Sequence, residues 1–267
     1  MKICATTGPF KEIELDDILS IFDEIGINYF EGSTDDRKHI YPYIFRNEEL
    51  NKLRNVLSSH KCKFVVLSGG WADFAVRESL LKFQFNSVIK QLEFCQTFGI
   101  KTLRLFVSHL PSKYVEEKYF ERVIKNIKKL LPEIKKYNVE IAFENHGGIT
   151  ATLKDILKII ESITDNQIGV NFDPANFVPW GQDPIEALNK LISYIKHCHL
   201  KDIVYTNNGK LEGYEFVTLG KGIIDYKKIF NILKRNKYKK YLSIESEVSD
   251  NKIKSLIESH IYLKKYL

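Results

Sequence analysis

No run in this chain approaches the ~18 consecutive apolar residues that a membrane-spanning helix requires, so no membrane partner is expected. The opening MKICATTGPF is too short in apolar residues for a signal peptide and reads as a first strand. The four cysteines, Cys4, Cys62, Cys95 and Cys198, are far apart and form no Cys-x-x-Cys pair. Three of them lie in or beside apolar runs, as reduced core thiols of a soluble, cytoplasmic protein would. There is no Gly-x-Gly-x-x-Gly after the first strand and no Gly-x₄-Gly-Lys-Ser/Thr loop, which removes most of the motivation for a nucleotide-binding sheet. Long linkers, low-complexity stretches and internal repeats are missing as well.

What is present is a chain of 267 residues, 44% hydrophobic and 28% charged, long enough to bury one large core. The net charge of +6 raises the question of an acidic partner. The lysines cluster at helical spacing, as in Lys125, Lys128, Lys129, Lys135 and Lys136, which is the pattern of a solvated helix face. No basic–aromatic module of an RNA-binding type is evident, and no nucleic-acid partner is expected.

Two periods alternate from end to end. Short β-type runs fall at 3–5, 28–30, 64–67, 102–107, 140–143, 168–172, 197–200 and 242–244. Between them apolar residues recur at i, i+3, i+4 and i+7, the mark of amphipathic helices. Gly26 and Gly99 are placed as C-terminal stops, Asn47-Glu48-Glu49 as a cap with acids in the first turn, and Asp183-Pro184 as a clean start. Pro132, inside the pattern that begins near Phe120, is expected to kink or end that helix. Strands alternating with helices imply parallel pairing, and eight such units fit a closed (β/α)₈ barrel over residues 1–267, as a single domain, better than an open sheet.

Four of the runs end in a residue that can bind a divalent cation: Glu144, Asp173, His199 and Glu245. Two Glu, one Asp and one neutral imidazole suit Mn²⁺, Mg²⁺, Co²⁺ or Zn²⁺. In a barrel these ends meet at the C-terminal mouth, where four consecutive strands would each offer one ligand. Each residue alone has a structural alternative, since strand-end carboxylates cap helices and a lone His is usually part of the packing. The joint pattern is harder to produce by chance. Strand alternation puts His197 on the same face as His199, and Gly147-Gly148 after Glu144 permit a tight loop.

The motifs AFENHGG (142–148), GVNFDPANF (169–177), HCHLKD (197–202), TLGKGIIDY (218–226) and LSIESE (242–247) resemble the sugar phosphate isomerase/epimerase family, with its xylose isomerase-like TIM barrel. The N-terminal half matches only in its rhythm and in Phe30-Glu31-Gly32. The resemblance implies one divalent metal on Glu144, Asp173, His199 and Glu245, with Mn²⁺ or Co²⁺ ahead of Mg²⁺ or Zn²⁺. It implies a small-molecule sugar substrate and isomerisation or epimerisation through a cis-enediolate, with Glu144 and Glu245 as acid and base. Dehydratases and lyases acting on keto-sugars, keto-inositols or 3-keto-glycosides share the metal and base, and are the alternative. Homo-oligomers are also compatible.

His109, His146, Lys201, Glu31 and Trp180 are candidates for binding substrate, and Trp71 for stacking on a sugar face. Against each stands a plain role: a satisfied loop histidine, a Lys201–Asp202 pair, a turn cap at Glu31, a packing cover for the tryptophans. Cleavage of DNA at abasic sites, known on the same barrel with three zinc ions and more histidines, fits poorly. The expected Asp-x-x-His reads Asp173-Pro174-Ala175-Asn176, and the third run ends in Leu67-Ser68-Gly69 without His. A non-catalytic sugar-binding barrel is a further alternative, against which the intact ligand set counts.

Overall fold

The computed structural model describes residues 1–34, 39, 40, 44, 49–108, 110–206 and 213–267, the Trp71 side chain excepted. Eight parallel strands close into a barrel. In chain order they are β1 (Lys2–Thr6), β2 (Tyr29–Ser33), β3 (Lys63–Trp71), β4 (Thr102–Phe106), β5 (Glu140–Glu144), β6 (Ile168–Phe172), β7 (Ile195–Leu200) and, after an inserted hairpin of β8 (Asp202–Tyr205) and β9 (Tyr214–Val217), β10 (Tyr241–Ile244). β10 pairs with β1, from Lys2 opposite Tyr241 to Ala5 opposite Ile244, and this closes the ring. The expected (β/α)₈ barrel is the observed one.

Helices follow the strands: α1 (Leu15–Ile25), α2 (Leu50–Ser59), α3 (Glu78–Phe98), α4 (Glu117–Tyr137), α5 (Leu153–Ile163), α6 (Pro184–Leu191), α7 (Tyr226–Arg235) and α8 (Lys252–Lys264). Gly26 and Gly99 end α1 and α3 at φ 78° and 70°, left-handed positions that glycine takes without steric cost. Asp183 and Asp225 cap α6 and α7 through N–H groups of Ile185 and Lys228. The Asn47 cap lies outside the described residues.

Pro132 neither ends nor breaks α4, which runs on to Tyr137. Pro132 and Lys128 are both exposed, so the Lys128 carbonyl left without a helical donor faces water. On the opposite side Phe120, Val123, Ile127, Leu130 and Ile134 are buried. Each such side chain removed from water contributes about 1.5–3 kcal/mol, which outweighs one lost helical hydrogen bond. β3 is also longer than its apolar run. It continues through Gly69 and Gly70 with a register shift before Trp71, because a Cβ at Gly69 would lie 2.2 Å from Gln91 Oε1 on α3. Glycine is there for close approach, not for a turn.

The hairpin β8–β9 has no counterpart in the eight-unit expectation. It leaves the barrel directly after β7, and both its ends are gathered by Asp202, whose carboxylate accepts N–H bonds from Ile203, Gly220, Gly222 and Ile224 at 2.9–3.2 Å. The four cysteines are buried and free, and burial pushes the Cys198 thiol up to about 12.

Candidate metal centre

The register of the strands decides which side chains meet inside the barrel. Glu144 on β5 stands opposite Asn171 on β6, and Asn171 opposite His197 on β7, while Ser243 on β10 stands opposite His199. Asp173 and Glu245 each follow the last residue of their strand. Asn145 clamps the first of these ends: its Oδ1 accepts the Asp173 N–H at 2.9 Å and its Nδ2 donates to the Asp173 carbonyl at 2.8 Å. The N–H of Glu245 donates to the Leu200 carbonyl at 3.0 Å, holding that end against β7.

The result is one cluster. One donor atom each from Glu144, Asp173, His199 and Glu245 lies within 4.8 Å of all the others. His199 Nδ1 is 3.2 Å from Glu144 Oε1 and 3.3 Å from Glu245 Oε2. Glu144, Asp173 and His199 are at most 1% exposed. Glu144 Oε2, Asp173 Oδ2, His199 Nδ1 and Glu245 Oε2 are all buried, and what they meet are charged side chains of the cluster itself rather than neutral hydrogen-bonding groups. The donor set therefore fits a divalent ion: three carboxylates and one imidazole converging on a common point.

Electrostatics point the same way. Arg104 forms an ion pair with Glu144, and Lys201 Nζ is 3.1 Å from Asp173, 3.0 Å from Glu245 and 3.0 Å from Glu247. Among the described residues, five carboxylates, counting Glu31, gather around Arg104, Lys201 and His199; burial opposes charge on the His199 ring, but Glu31, Glu245 and Glu144 hold it well above its usual pKa. Burial works against ionisation of Glu144, yet Arg104 and His199 outweigh it and hold its carboxyl at about 2. At Asp173 burial prevails: despite Lys201, it and the nearby Glu245 and Glu144 push the carboxyl up to about 7. Burial opposes the charge on Lys201 too, but its carboxylate partners hold the ammonium well above its usual range.

Glu31 is not at the mouth and caps no turn. It is fully buried, and its carboxylate lies between the two histidines of β7, 2.8 Å from His197 Nε2 and 2.9 Å from His199 Nε2. No substrate hydroxyl has access to it there. Lys201 does not pair with Asp202, whose carboxylate is taken up by backbone N–H groups; it sits instead against the cation cluster. His109 and the Trp71 side chain lie outside the described residues.

Beside the cluster is a cavity of about 350 Å³ walled by His146, Asn176, Trp180, Lys201, Tyr214, Phe216 and Glu247 among others. His146 packs edge-on to Phe106 at 4.7 Å, and burial lowers its pKa, so the ring is neutral at pH 7. Trp180 is 41% exposed, and Gly147, at φ 76°, gives it room: a Cβ there would come within 3.2 Å of the indole. A larger groove of about 510 Å³, between α6 and α7, is lined by none of the cluster residues.

Sequence reasoning missed Arg104, Asn176, Glu247 and the hairpin residues Tyr214 and Phe216. Arg104 had a signal, a lone cation in the apolar strand TLRLF. Asn176 donates to Glu144 Oε1 at 3.4 Å from the short 3₁₀ segment Ala175–Trp180.

Residues 20–266 match the model of the xylose isomerase-like TIM barrel family, and the chain belongs to that family. Among curated proteins, an inosose dehydratase of Clostridium perfringens is 30% identical over 168 residues, 58% of this chain and 56% of the relative. The chain thus matches about half the length of such relatives. Of solved structures, a probable 3-DHS dehydratase from Bacillus anthracis superposes with a TM-score of 0.82 at 19% identity, over 99% of both chains. A protein named IolI, with a bound zinc atom, superposes at 0.83 and 21% identity, over 100% of this chain and 99% of that one. Epimerases share the fold to a similar degree.

Proposed function

We propose that the chain is a divalent-metal-dependent dehydratase acting on a cyclic polyol ketone of the inosose type. The observation that carries the reading is the buried cluster of Glu144, Asp173, His199 and Glu245 with the Lys201 and His146 side chains on the adjoining cavity wall. The likeness to inosose dehydratases directs it to water loss rather than to the isomerisation expected first. A divalent ion held by the four ligands would supply Lewis acidity toward a ketone oxygen and lower the acidity barrier of the neighbouring C–H.

The chain's own part is threefold. Glu245, the most accessible ligand with 13% side-chain exposure, takes the proton from the carbon next to the ketone. The electron pair left behind expels the hydroxyl on the next carbon, which leaves as water after taking a proton from the cavity wall. Lys201 brings N–H donors to that wall, in contact with Glu245. Trp180 offers an apolar face to the C–H side of a ring, and Glu247 and Asn176 pair with hydroxyls.

Epimerisation has one observation of its own. Glu144 and Glu245 both lie beside His199 Nδ1, at 3.2 and 3.3 Å, and supply the two carboxylates that a reaction removing and returning a proton requires. Mn²⁺-, Co²⁺- or Zn²⁺-loaded protein incubated with an inosose in deuterated water separates the two. Loss of one water, seen by mass, is the expected result. Deuterium uptake without water loss would replace the dehydratase with the epimerase.

A further inference from the structure

Glu31, His197 and His199 form a second group of possible ligands, on the side of His199 away from the first. Separations tell the two groups apart. Ligands of a tetrahedral ion at bond lengths of ~2.1 Å lie about 3.4 Å from one another. The contacts of His199 Nδ1 to Glu144 and Glu245, 3.2 and 3.3 Å, have that spacing. Those around Glu31 do not: His197 Nε2 to Oε2 is 2.8 Å, and His199 Nε2 is 2.9 and 3.1 Å from the two oxygens, which are hydrogen-bond distances. All three residues are at most 1% exposed, whereas the first group includes Glu245, whose side chain is 13% exposed.

A carboxylate only accepts, so each ring nitrogen that touches Glu31 carries the hydrogen. With Nε2–H given to Glu31, Nδ1 is the ring nitrogen left to face the cluster, where a bound cation would take the place of a proton. Glu31 comes from β2, 168 residues before His199 in sequence and three strands away around the barrel. It therefore reaches across the interior rather than along the sheet. We propose that Glu31 is the positioning residue of the metal centre, fixing His199 in the Nε2–H form and in the orientation that turns Nδ1 toward Glu144 and Glu245. His197 shares the same carboxylate and also meets Ser243 Oγ at 3.0 Å; it holds Glu31 in place from below.

The inference rests on the metal centre of the proposed function but on none of its chemistry. Two measurements on the full chain test it. In the first, ¹⁵N NMR of Zn²⁺-loaded protein reads which ring nitrogen carries hydrogen; the expected result at His199 is Nε2–H with Nδ1 on the metal, and Nδ1–H there overturns the proposal without any variant. In the second, Co²⁺ and Zn²⁺ affinities are measured by calorimetry on wild type, Glu31→Gln and His197→Gln. A glutamine at 31 accepts one N–H and turns a donor toward the other ring, so metal affinity falls about 10–100-fold, as with other partners of metal-bound histidines. His197→Gln keeps a donor toward Glu31 and stays within a few-fold of wild type. Wild-type affinity in Glu31→Gln overturns the role of Glu31. Two ions per chain, with one lost in His197→Gln, overturns it in favour of a second metal site. A chain that binds no metal at all fails earlier, at the proposed function.

Discussion

Asp173→Asn separates what this side chain does for a cation from what it does to the fold. Its Oδ1 accepts the Ala175 N–H at 2.9 Å, and its Oδ2 faces Lys201 at 3.1 Å. Burial first, and the charges of Glu245 and Glu144, raise its carboxyl from 3.8 to about 7. An acid whose folded value lies above its unfolded one costs nothing below pH ~4, costs more as pH rises to 7, and costs its full amount above. A rise of this size corresponds to about 4 kcal/mol. The carboxamide keeps the Ala175 acceptor and has no charge to desolvate, but it turns an N–H toward the Lys201 ammonium, returning about 1–3 kcal/mol.

Metal-free Asp173→Asn is therefore expected to be more stable than metal-free wild type at pH 8, by about 1–3 kcal/mol or roughly 2–10 °C in Tm. The advantage shrinks on acidification, crosses zero between about pH 4.5 and 6, and reverses near pH 4, where the neutral acid costs nothing and the carboxamide keeps its own penalty. Adding Co²⁺ at a hundred times its Kd stabilises the wild type by about 2.7 kcal/mol and leaves the variant unmoved. Thermal melts of chelator-stripped protein from pH 4 to 8, with and without Co²⁺, read both effects. A variant that melts below wild type at every pH, or gains as much from Co²⁺, refutes the argument.

Removing the Arg104 charge by Arg104→Gln leaves the buried Glu144 carboxylate with only His199 and Asn176 beside it; urea unfolding of the stripped protein should register a loss of about 3 kcal/mol, partly recovered by metal. Elemental analysis should find about one tightly held ion per chain, lost in His199→Ala. Asp23 accepts N–H bonds from Lys61 and Cys62 at 2.9–3.1 Å, so Asp23→Ala should cost about 1–3 kcal/mol. Burial opposes ionisation of Asp23, but these N–H groups and His60 depress its pKa below 3.8, so its contribution is complete above pH ~4 and disappears as pH falls further.

The four residues of the cluster were legible because each is local to a strong signal, an apolar run that stops at a donor residue. Alternation within β7 even placed His197 and His199 on one face. What joins them was not legible. Glu31 finds its partners across the barrel, and a motif around residue 31 carries no trace of residue 199. Lys201 was read as a candidate for substrate, with a pair to its neighbour Asp202 as the plain alternative, whereas tertiary contacts set it against Asp173, Glu245 and Glu247, just beyond β6 and β10. Pro132 was expected to kink or end its helix; α4 does not end there, because the buried face from Phe120 to Ile134 outweighs the one hydrogen bond the proline removes.

The knot of N–H groups around Asp202 has a consequence for how such a barrel diversifies. Four backbone donors, from residues 203, 220, 222 and 224, tie both ends of the hairpin segment to one side chain adjoining β7. Gly222 is part of the fastening, since a Cβ there would stand 2.0 Å from the carboxylate. Everything between is an exchangeable cassette: doubling its length adds only about 0.6 kcal/mol of closure entropy, and the drawstring isolates the strand ends from the change. Tyr214 and Phe216, which wall the cavity, lie inside that cassette. The cavity wall can thus be reshaped by insertion and deletion, while the carboxylate–histidine cluster beneath it stays in place.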